Sequence, residues 1–355
     1  MSQLKKLRKK IDQIDRKILD FLNERAEIIV NIGKIKSKKI SPSFSPYREA
    51  QVYDSLIKAN KGPLSNDTIK AIYREIMSGS LSLQSHLKIA YLGPEASFTQ
   101  IAALKKFGKS LDYLECDSIA DVFTEVERDR ADYGVVPIEN STEGAVNYTL
   151  DMFIDSDLKI CSESYLPIEH NLLSKHKKIS AVKSIYSHEQ VFAQCRIWLE
   201  RNLPNVKLIP CASTTQAAMA ATDGRGRAAI ASKLAAEKYD LNILSASIED
   251  SPHNVTRFLI IGKQEAKPSG NDKTSIVFSM KDRVGALHDV LTPFKKNNIN
   301  LTKIESRPSK KKVWKYYFFV DMQGHIKDKK IRQALEGLEK NCSYYKELGS
   351  YPASR

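Results

Sequence analysis

The stretch "YGVVPIENSTEGAV", residues 133–146, reads as a buried strand that runs into Pro137 and then into a loop carrying Asn140, Ser141 and Thr142 between two glutamates. Apolar residues without alternation suit a strand covered on both faces, and the polar cluster after the proline marks its end. The runs "LKIAYL", "SIYSH", "AAIAS" and "TRFLIIG" share that character, with helical stretches at 97–107 and 189–202 between them. Strands alternating with helices predict an α/β domain whose strands are largely parallel.

On either side the pattern changes. Over residues 4–37, Leu4, Leu7, Ile11, Ile14, Ile18, Phe21, Arg25, Ile28, Ile32 and Ile35 recur at spacings of three and four. That is the heptad stripe of one long helix, too narrow to bury itself alone. "SKKISPSFSP" ends it; further helices are expected at 47–59 and 67–87, with "NKGPLSND" between them. Beyond the polar segment "KQEAKPSGNDK" (263–273) comes a strand at 274–280, a helix from about 285, and strands at 301–306 and 315–320. A helix at 328–341 and a closing strand complete a βαββαβ order, which is ferredoxin-like. The expected organisation is an all-α domain at 1–87, an α/β domain at 88–264 and an α+β domain at 273–355.

A chain of 355 residues, 42% hydrophobic and 28% charged, suits two or three globular domains. No apolar run approaches the roughly 20 residues of a membrane span. The N-terminus "MSQLKKLRKKIDQIDRK" lacks a signal peptide's apolar core, so a cytoplasmic location without membrane contact is expected. Five scattered cysteines (116, 161, 195, 211, 342) without CxxC spacing argue against a disulfide framework or a zinc site, and no metal is expected. The net charge of +14 raises nucleic-acid binding. However, residues 1–40 hold twelve Lys/Arg against five Asp/Glu, and no DNA- or RNA-binding motif accompanies them. A solvated helix face or small anionic ligands account for the charge equally well, so no nucleic-acid partner is expected.

Arg25 occupies a stripe position where such a helix normally carries Leu or Ile. Lys36 follows three turns later, roughly 16 Å along the same face. Two long cationic arms across that gap could hold a dicarboxylate. Arg8 is roughly 25 Å from Arg25, so only an antiparallel partner helix could bring a second Arg8 into range, and the unsatisfied stripe calls for such a partner. The second helix offers Arg48 and Glu49 in "YREAQV", and the third offers Ser80 and Gln84 at i,i+4 on the face of Tyr73 and Met77. On these residues the segment 4–87 resembles the all-helical chorismate mutases. The resemblance implies that Arg25, Lys36 and Arg48, with the partner subunit's Arg8, grip the two carboxylates and the ether oxygen of chorismate. Glu49 would hold the ring hydroxyl, while Ser80 and Gln84 complete the cage, Gln84 donating to the ether oxygen. A pericyclic rearrangement needs a held conformer and donors on the oxygen that gains charge, and neither acid, base nor nucleophile. Ser45 departs from the family's usual Asp, which puts hydroxyl binding in doubt.

In the α/β segment, "YLGPEASFTQIAA", "YSHEQVFAQC" and "CASTTQAAM" place hydroxyls at helix starts, where anions can bind but caps are also ordinary. Ser187 with Gln190, and Ser213 with Gln216, fit capping boxes. Together with "VVPIENSTEGAV" and "NVTRFLIIG", these motifs over residues 88–262 resemble the prephenate dehydratases. The resemblance implies two α/β lobes like those of solute-binding proteins, with the site between them. It makes Thr256 the leading catalytic residue, with Arg257 and Phe258 beside it. Asn140, Ser187 and Gln194 would line the site, and Ser97, Thr99, Ser213 and Thr214 would serve as anion-side contacts. Prephenate loses its carboxylate and hydroxyl together, so the protein must chiefly assist the departing hydroxyl with a donor in a closed cleft. His188 is the rival acid, although it directly precedes a helix and can simply cap it. Glu139 and Glu143 read as lobe-stabilising. Ala96 replaces the family's usual Gly, with little expected consequence.

At the C-terminus, Gly285, Ala286, Leu287 and His288 ("GALH") form a strand-to-helix turn, and Glu305, Ser306, Arg307 and Pro308 ("ESRP") end a strand. They resemble the ACT regulatory domains fused to prephenate dehydratases, over residues 273–350. That implies L-phenylalanine binding at a dimer interface and feedback inhibition. As a whole the chain resembles the bifunctional chorismate mutase/prephenate dehydratases: a homodimer or larger, acting on chorismate and prephenate without a cofactor. A dehydratase with a degenerate mutase domain, or a non-catalytic amino-acid-binding regulator, are the alternatives. The regulator would have no reason to keep Arg25, Lys36, Arg48 and Glu49 together.

Overall fold

A computed structural model describes residues 3–38, 44–281, 283–309 and 315–354. Part of the "SKKISPSFSP" break, Asp282 before the "GALH" turn and most of the basic stretch "SKKKVW" lie outside the described residues. The chain forms two compact units. Residues up to Lys88 together with Lys106–Asp112 make one; Ile89–Lys105 and the residues from Tyr113 onward make the other.

The first unit is built on helices α1 (Gln3–Lys38), α2 (Pro46–Ala59) and α3 (Asn66–Gln84). Ser45 caps α2, its hydroxyl accepting from Arg48 N at 3.4 Å with Pro46 at the first helical position. Ser65 caps α3 by accepting from Thr68 N at 3.1 Å. α3 stops at Gln84, short of the expected 87, because Ser85 turns extended and Leu87 N bonds to Ser85 O ahead of the next strand. α1 packs on α3 through its C-terminal half, where Gly33 leaves room for Gln84: a Cβ at Gly33 would meet Gln84 Cγ at 3.3 Å. The N-terminal half of the stripe is bare, with Leu4 57%, Ile11 56% and Phe21 68% exposed.

The chain continues through β1 (Lys88–Leu92), α4 (Phe98–Phe107), β2 (Asp112–Cys116), α5 (Ile119–Glu127), β3 (Tyr133–Asn140), β4 (Gly144–Ala145), α6 (Asn147–Asp155) and β5 (Lys159–Pro167). A second lobe follows: β6 (Asn171–Ser174), β7 (Ser184–Ser187), α7 (Glu189–Gln194), α8 (Arg196–Asn202), β8 (Lys207–Pro210), α9 (Thr214–Ala221), β9 (Arg227–Ala231), α10 (Lys233–Lys238) and β10 (Asn242–Ser245). β11 (Val255–Gly262) then returns to the first lobe. The first sheet has the order β2-β1-β3-β11-β5 and the second β10-β6-β9-β7-β8.

Both sheets are mixed, which corrects the expectation of largely parallel strands. β1 with β3, and β7 with β8 and β9, are parallel, but β11 runs antiparallel to both β3 and β5, as β6 does to β9 and β10. The chain leaves the first lobe through β5 and re-enters through β11, and this return reverses β11. The expected helix at 189–202 is also two helices. Asp250 accepts from Ile197 N at 3.0 Å and Trp198 N at 3.1 Å, so a carboxylate far along the chain caps α8 and breaks the run at Cys195.

The remaining residues form β12 (Asp272–Met280), α11 (Ala286–Lys296), β13 (Leu301–Pro308), β14 (Tyr316–Gln323), α12 (Lys329–Glu339) and β15 (Cys342–Pro352), with the ferredoxin-like sheet order β13-β14-β12-β15. Its helices cover Ile276, Phe278, Val320 and Met322. The opposite face, with Val277, Phe319, Leu348 and Tyr351, joins one core with Val136, Leu259 and Ile261 of the first sheet. The polar segment before it is tied down: Ala266 is buried and its carbonyl accepts from His325 Nε2 at 3.1 Å.

Candidate active sites

In the helical unit a cavity of about 360 Å³ is lined by Arg25, Lys36, Arg48, Glu49, Ser80 and Gln84, among others. That volume lies within the roughly 300–1,000 Å³ of small-molecule sites. Three helices thus bring six of the seven expected residues to one cavity. Arg8 is the exception. It is exposed on the bare half of α1 and does not line the cavity.

The groups are oriented by their neighbours. Arg25 donates to Ser80 Oγ, and Ser80 in turn donates to Ile76 O at 2.7 Å, so Ser80 acts on the guanidinium and its own proton is committed to the backbone. Gln84 Nε2 donates to Ile29 O at 3.2 Å, while Gln84 Oε1 is buried without a hydrogen-bond partner. Burial pushes the pKa of Arg25 down from its ordinary value, with Tyr73 acting weakly the other way, and burial pushes Lys36 down too. Half-desolvated cations of this kind gain most when an anion arrives. Ser45 also lines the cavity while capping α2.

In the α/β unit, Thr256 near the start of β11 stands opposite Asn140 at the end of β3. Asn140 Nδ2 donates to Thr256 Oγ1 at 2.8 Å and to Asn254 Oδ1 at 2.7 Å. Asn140 Oδ1 accepts from Thr142 N at 2.9 Å, Thr142 Oγ1 at 2.6 Å and Glu143 N at 3.1 Å, which fixes which end of the amide is nitrogen. Thr256 Oγ1 therefore accepts from Asn140 and keeps its own proton for another acceptor. The network runs on: Asn254 Nδ2 donates to Gln194 Oε1 at 3.1 Å, and Gln194 Nε2 to Glu143 Oε1 at 3.1 Å. His170 Nε2 lies 2.8 Å from the same Gln194 Oε1, which assigns the proton to Nε2; its Nδ1 is buried without a partner. Burial pushes the His170 pKa down, consistent with a neutral ring.

Asn140, Thr256 and Gln194 are thus brought together, and Glu143 ties the loop of the first lobe to α7 of the second. Several other expectations are corrected. Ser187 is fully buried and donates to Ile230 O at 2.8 Å, because it is the last inward-facing residue of β7. His188 is the residue that caps α7, its Nδ1 accepting from Gln190 N at 3.3 Å, so the Ser187–Gln190 capping box does not form. Arg257 faces away from Thr256, as strand alternation requires. It donates to Glu163 at 2.9 Å, Asp321 at 2.5 Å and Tyr351 Oη at 2.9 Å. Phe258 is buried core. Glu139 lies 2.9 Å from Lys303, on the side of the C-terminal sheet.

Ser97 Oγ donates to Leu92 O at 3.1 Å and accepts from Gln100 N at 3.3 Å, and Thr99 is buried. Between them Phe98 packs edge-on against His170 with centroids 5.6 Å apart, so this helix start does adjoin the network. Ser213 caps α9 through Gln216 N at 3.1 Å, the first half of the expected capping box, while the Gln216 side chain accepts from Ala212 N at 3.2 Å instead of Ser213 N; Thr214 lies beside it. Ala96 sits at φ +66°, in the left-handed region that favours glycine, so its methyl costs more than the sequence suggested. Sequence reasoning missed Asn254 and His170. The first opens the quoted "NVTRF"; the second lies in "IEHNLL", where only the rarity of histidine could have drawn notice.

In the C-terminal sheet, Gly285, Ala286, Leu287 and His288 line a cavity of about 550 Å³ with Tyr316 and Phe318. The "ESRP" residues do not line it within this chain. They alternate on β13: Ser306 and Pro308 are exposed, while Glu305 and Arg307 face the other way and Arg307 pairs with Asp151 at 3.2 Å.

Family profiles match the three parts: chorismate mutase type II at residues 7–85, prephenate dehydratase at 89–266 and ACT domain at 274–340. A bifunctional chorismate mutase/prephenate dehydratase from Aquifex aeolicus (strain VF5) is 51% identical over 356 residues, covering 99% of this chain and 98% of the relative. The crystal structure of prephenate dehydratase in complex with L-Phe from Arthrobacter aurescens is 34% identical with a TM-score of 0.70, over 75% of this chain and 90% of that one. GqqA, described as a novel type of quorum quenching acylase, is 27% identical with a TM-score of 0.69, over 75% of this chain and 98% of its own. No helix among the described residues is long and apolar enough to cross a membrane. With both catalytic profiles and the ACT profile matched in order, and a relative similar over nearly its whole length, this chain belongs to the bifunctional chorismate mutase/prephenate dehydratase family.

Proposed function

We propose that the helical cage rearranges chorismate to prephenate, that the Thr256 network converts prephenate to phenylpyruvate, and that L-phenylalanine on the ACT domain restrains the second step. The observation that carries the reading is the gathering of Arg25, Lys36, Arg48, Glu49, Ser80 and Gln84 around one cavity from three helices. A dicarboxylate would be held by the cations, with Glu49 on the ring hydroxyl and the second N–H of Gln84 on the ether oxygen, where charge grows as the bond breaks. Arg8 reaches the cavity only from a second copy. The exposed stripe of α1 supports that copy, since each buried Leu, Ile or Phe contributes about 1.5–3 kcal/mol. We therefore assign a homodimer or larger assembly, working in the cytoplasm, with mutase, dehydratase and ACT segments at 1–87, 88–264 and 273–355.

In the dehydratase step, Thr256 Oγ–H donates to the leaving hydroxyl, which departs as water while the carboxylate departs as carbon dioxide and the ring becomes aromatic. The one proton the reaction consumes comes from solvent, which restores the threonine hydroxyl. Asn140 holds the threonine oxygen, and Gln194 with Asn254 holds Asn140. The GALH cavity supplies an apolar site for the phenylalanine side chain. Supplying chorismate to the full chain tests the whole reading: phenylpyruvate should form and fall on adding phenylalanine. Untouched chorismate would identify a degenerate mutase, accumulated prephenate a failed dehydratase, and phenylalanine binding without turnover a non-catalytic regulator.

A further inference from the structure

The helical cavity has a wall that the mutase helices do not supply. Lys106, near the end of α4, lines it, and Lys106 lies outside residues 7–85 of the mutase profile and inside 89–266 of the dehydratase profile. Lys106 Nζ donates to Glu49 Oε2 at 2.6 Å, with the two side chains only 16% and 12% exposed. The segment behind it is fixed onto α3. Lys109 N donates to Glu75 Oε2 at 3.0 Å and Ser110 N to Ser78 Oγ at 3.0 Å. Gly108 permits this approach, since a Cβ there would lie 2.5 Å from Ser78 Cβ. The lysine is therefore held in place by registered contacts on both sides of a glycine turn.

The electrostatics explain why a cation is useful at that point. Glu49 shares the cavity with Arg25, Lys36 and Arg48. With Arg74 also on the lining, a lone carboxylate among these four cations is drawn onto them, which would occupy the groups a dicarboxylate substrate needs. A lysine on the far oxygen satisfies the carboxylate and keeps it apart. Ser45, standing where the family usually has a second carboxylate, leaves Glu49 as the principal acceptor for the ring hydroxyl, so its position counts for more.

We propose that Lys106 is a positioning residue of the mutase reaction: it holds Glu49 Oε2 so that Oε1 stays available to the substrate hydroxyl. This rests on the mutase reading above, which the parent chain tests independently by turning over chorismate at all. The experiment is steady-state mutase kinetics on the full-length chain for Lys106→Met, Lys106→Arg, Glu49→Gln and the double variant Glu49→Gln/Lys106→Met, each also assayed as a dehydratase on added prephenate. Lys106→Met should lower mutase kcat/KM at least tenfold, mostly through KM, because hydroxyl binding is lost in ground and transition states alike. Lys106→Arg should recover to within about threefold of the parent. In the Glu49→Gln background, Lys106→Met should change kcat/KM less than twofold, since there is no carboxylate left to hold. Dehydratase turnover should stay at the parent value throughout. An active parent with Lys106→Met within twofold of it, an equal loss in the Glu49→Gln background, or parallel loss of both activities would each overturn the assignment.

Discussion

The helical cage and the Thr256 network solve opposite problems. The cage gathers cations, and its central carboxylate is balanced by Lys106. The Thr256 network gathers amides and a hydroxyl, and the Glu143 carboxylate at its far end fixes the direction of the chain of donors. In the first, charge must be in place before the substrate arrives; in the second, a neutral donor must be aimed and little else. The difference follows from what each reaction loses. A rearrangement keeps both carboxylates and needs them held, whereas a decarboxylation is hindered by any cation that stabilises the departing carboxylate. Arg257 obeys that rule. It is adjacent to Thr256 in sequence, yet its guanidinium is spent on Glu163, Asp321 and Tyr351 on the opposite face of β11.

The comparison is broken most severely by Arg257→Met. Glu163 would keep Lys273, but Asp321 would lose its ion pair and retain the Ser275 hydroxyl, and an uncompensated buried charge costs about 3–5 kcal/mol. Urea unfolding of the α/β unit should shift by that order, while mutase turnover remains; an unshifted transition would show that the pair is not buried. Next in size is Arg25→Ala, expected to lower mutase kcat/KM about a hundredfold, since a charged hydrogen bond contributes about 1.5–3 kcal/mol, with dehydratase rates on added prephenate unaltered. Loss of both activities would contradict the separation of the two chemistries. Asn254→Ala should lower dehydratase kcat about tenfold, the equivalent of one positioning hydrogen bond near 1.4 kcal/mol. A wild-type rate would mean that Asn140 is aimed without it. The smallest effect is Ala96→Gly, which should stabilise the α/β unit by up to about 1 kcal/mol by relieving the left-handed backbone, measured as a rise in its unfolding midpoint.

Much of this was legible from periodicity and residue type. The heptad stripe located α1, and Arg25 stood out because a charge interrupted it. The βαββαβ order of the C-terminal sheet followed from alternation and turns alone. What could not be read was direction and face. β11 looks like any buried strand, and only the return from the second lobe sets it antiparallel to β3. Thr256, Arg257 and Phe258 form one motif in sequence but divide between the Thr256 network, a buried ion-pair network and the core, because neighbouring strand residues point apart. Ser187, expected to cap α7 and line the site, ends the strand facing inward for the same reason, which leaves the cap to His188, as its place directly before the helix suggested. Lys106 was invisible as a cavity residue since nothing in its own helix pattern refers to Glu49.

The central claim is that the dehydratase pocket works through a neutral hydroxyl donor, and it is tested most directly by giving chorismate at neutral pH to the Thr256→Val chain and following both products. Prephenate should accumulate at the parent's rate while phenylpyruvate formation falls by well over tenfold, more than about 1.4 kcal/mol in the barrier. Phenylpyruvate appearing at more than a tenth of the parent's rate would contradict the claim and return the proton donor to another group.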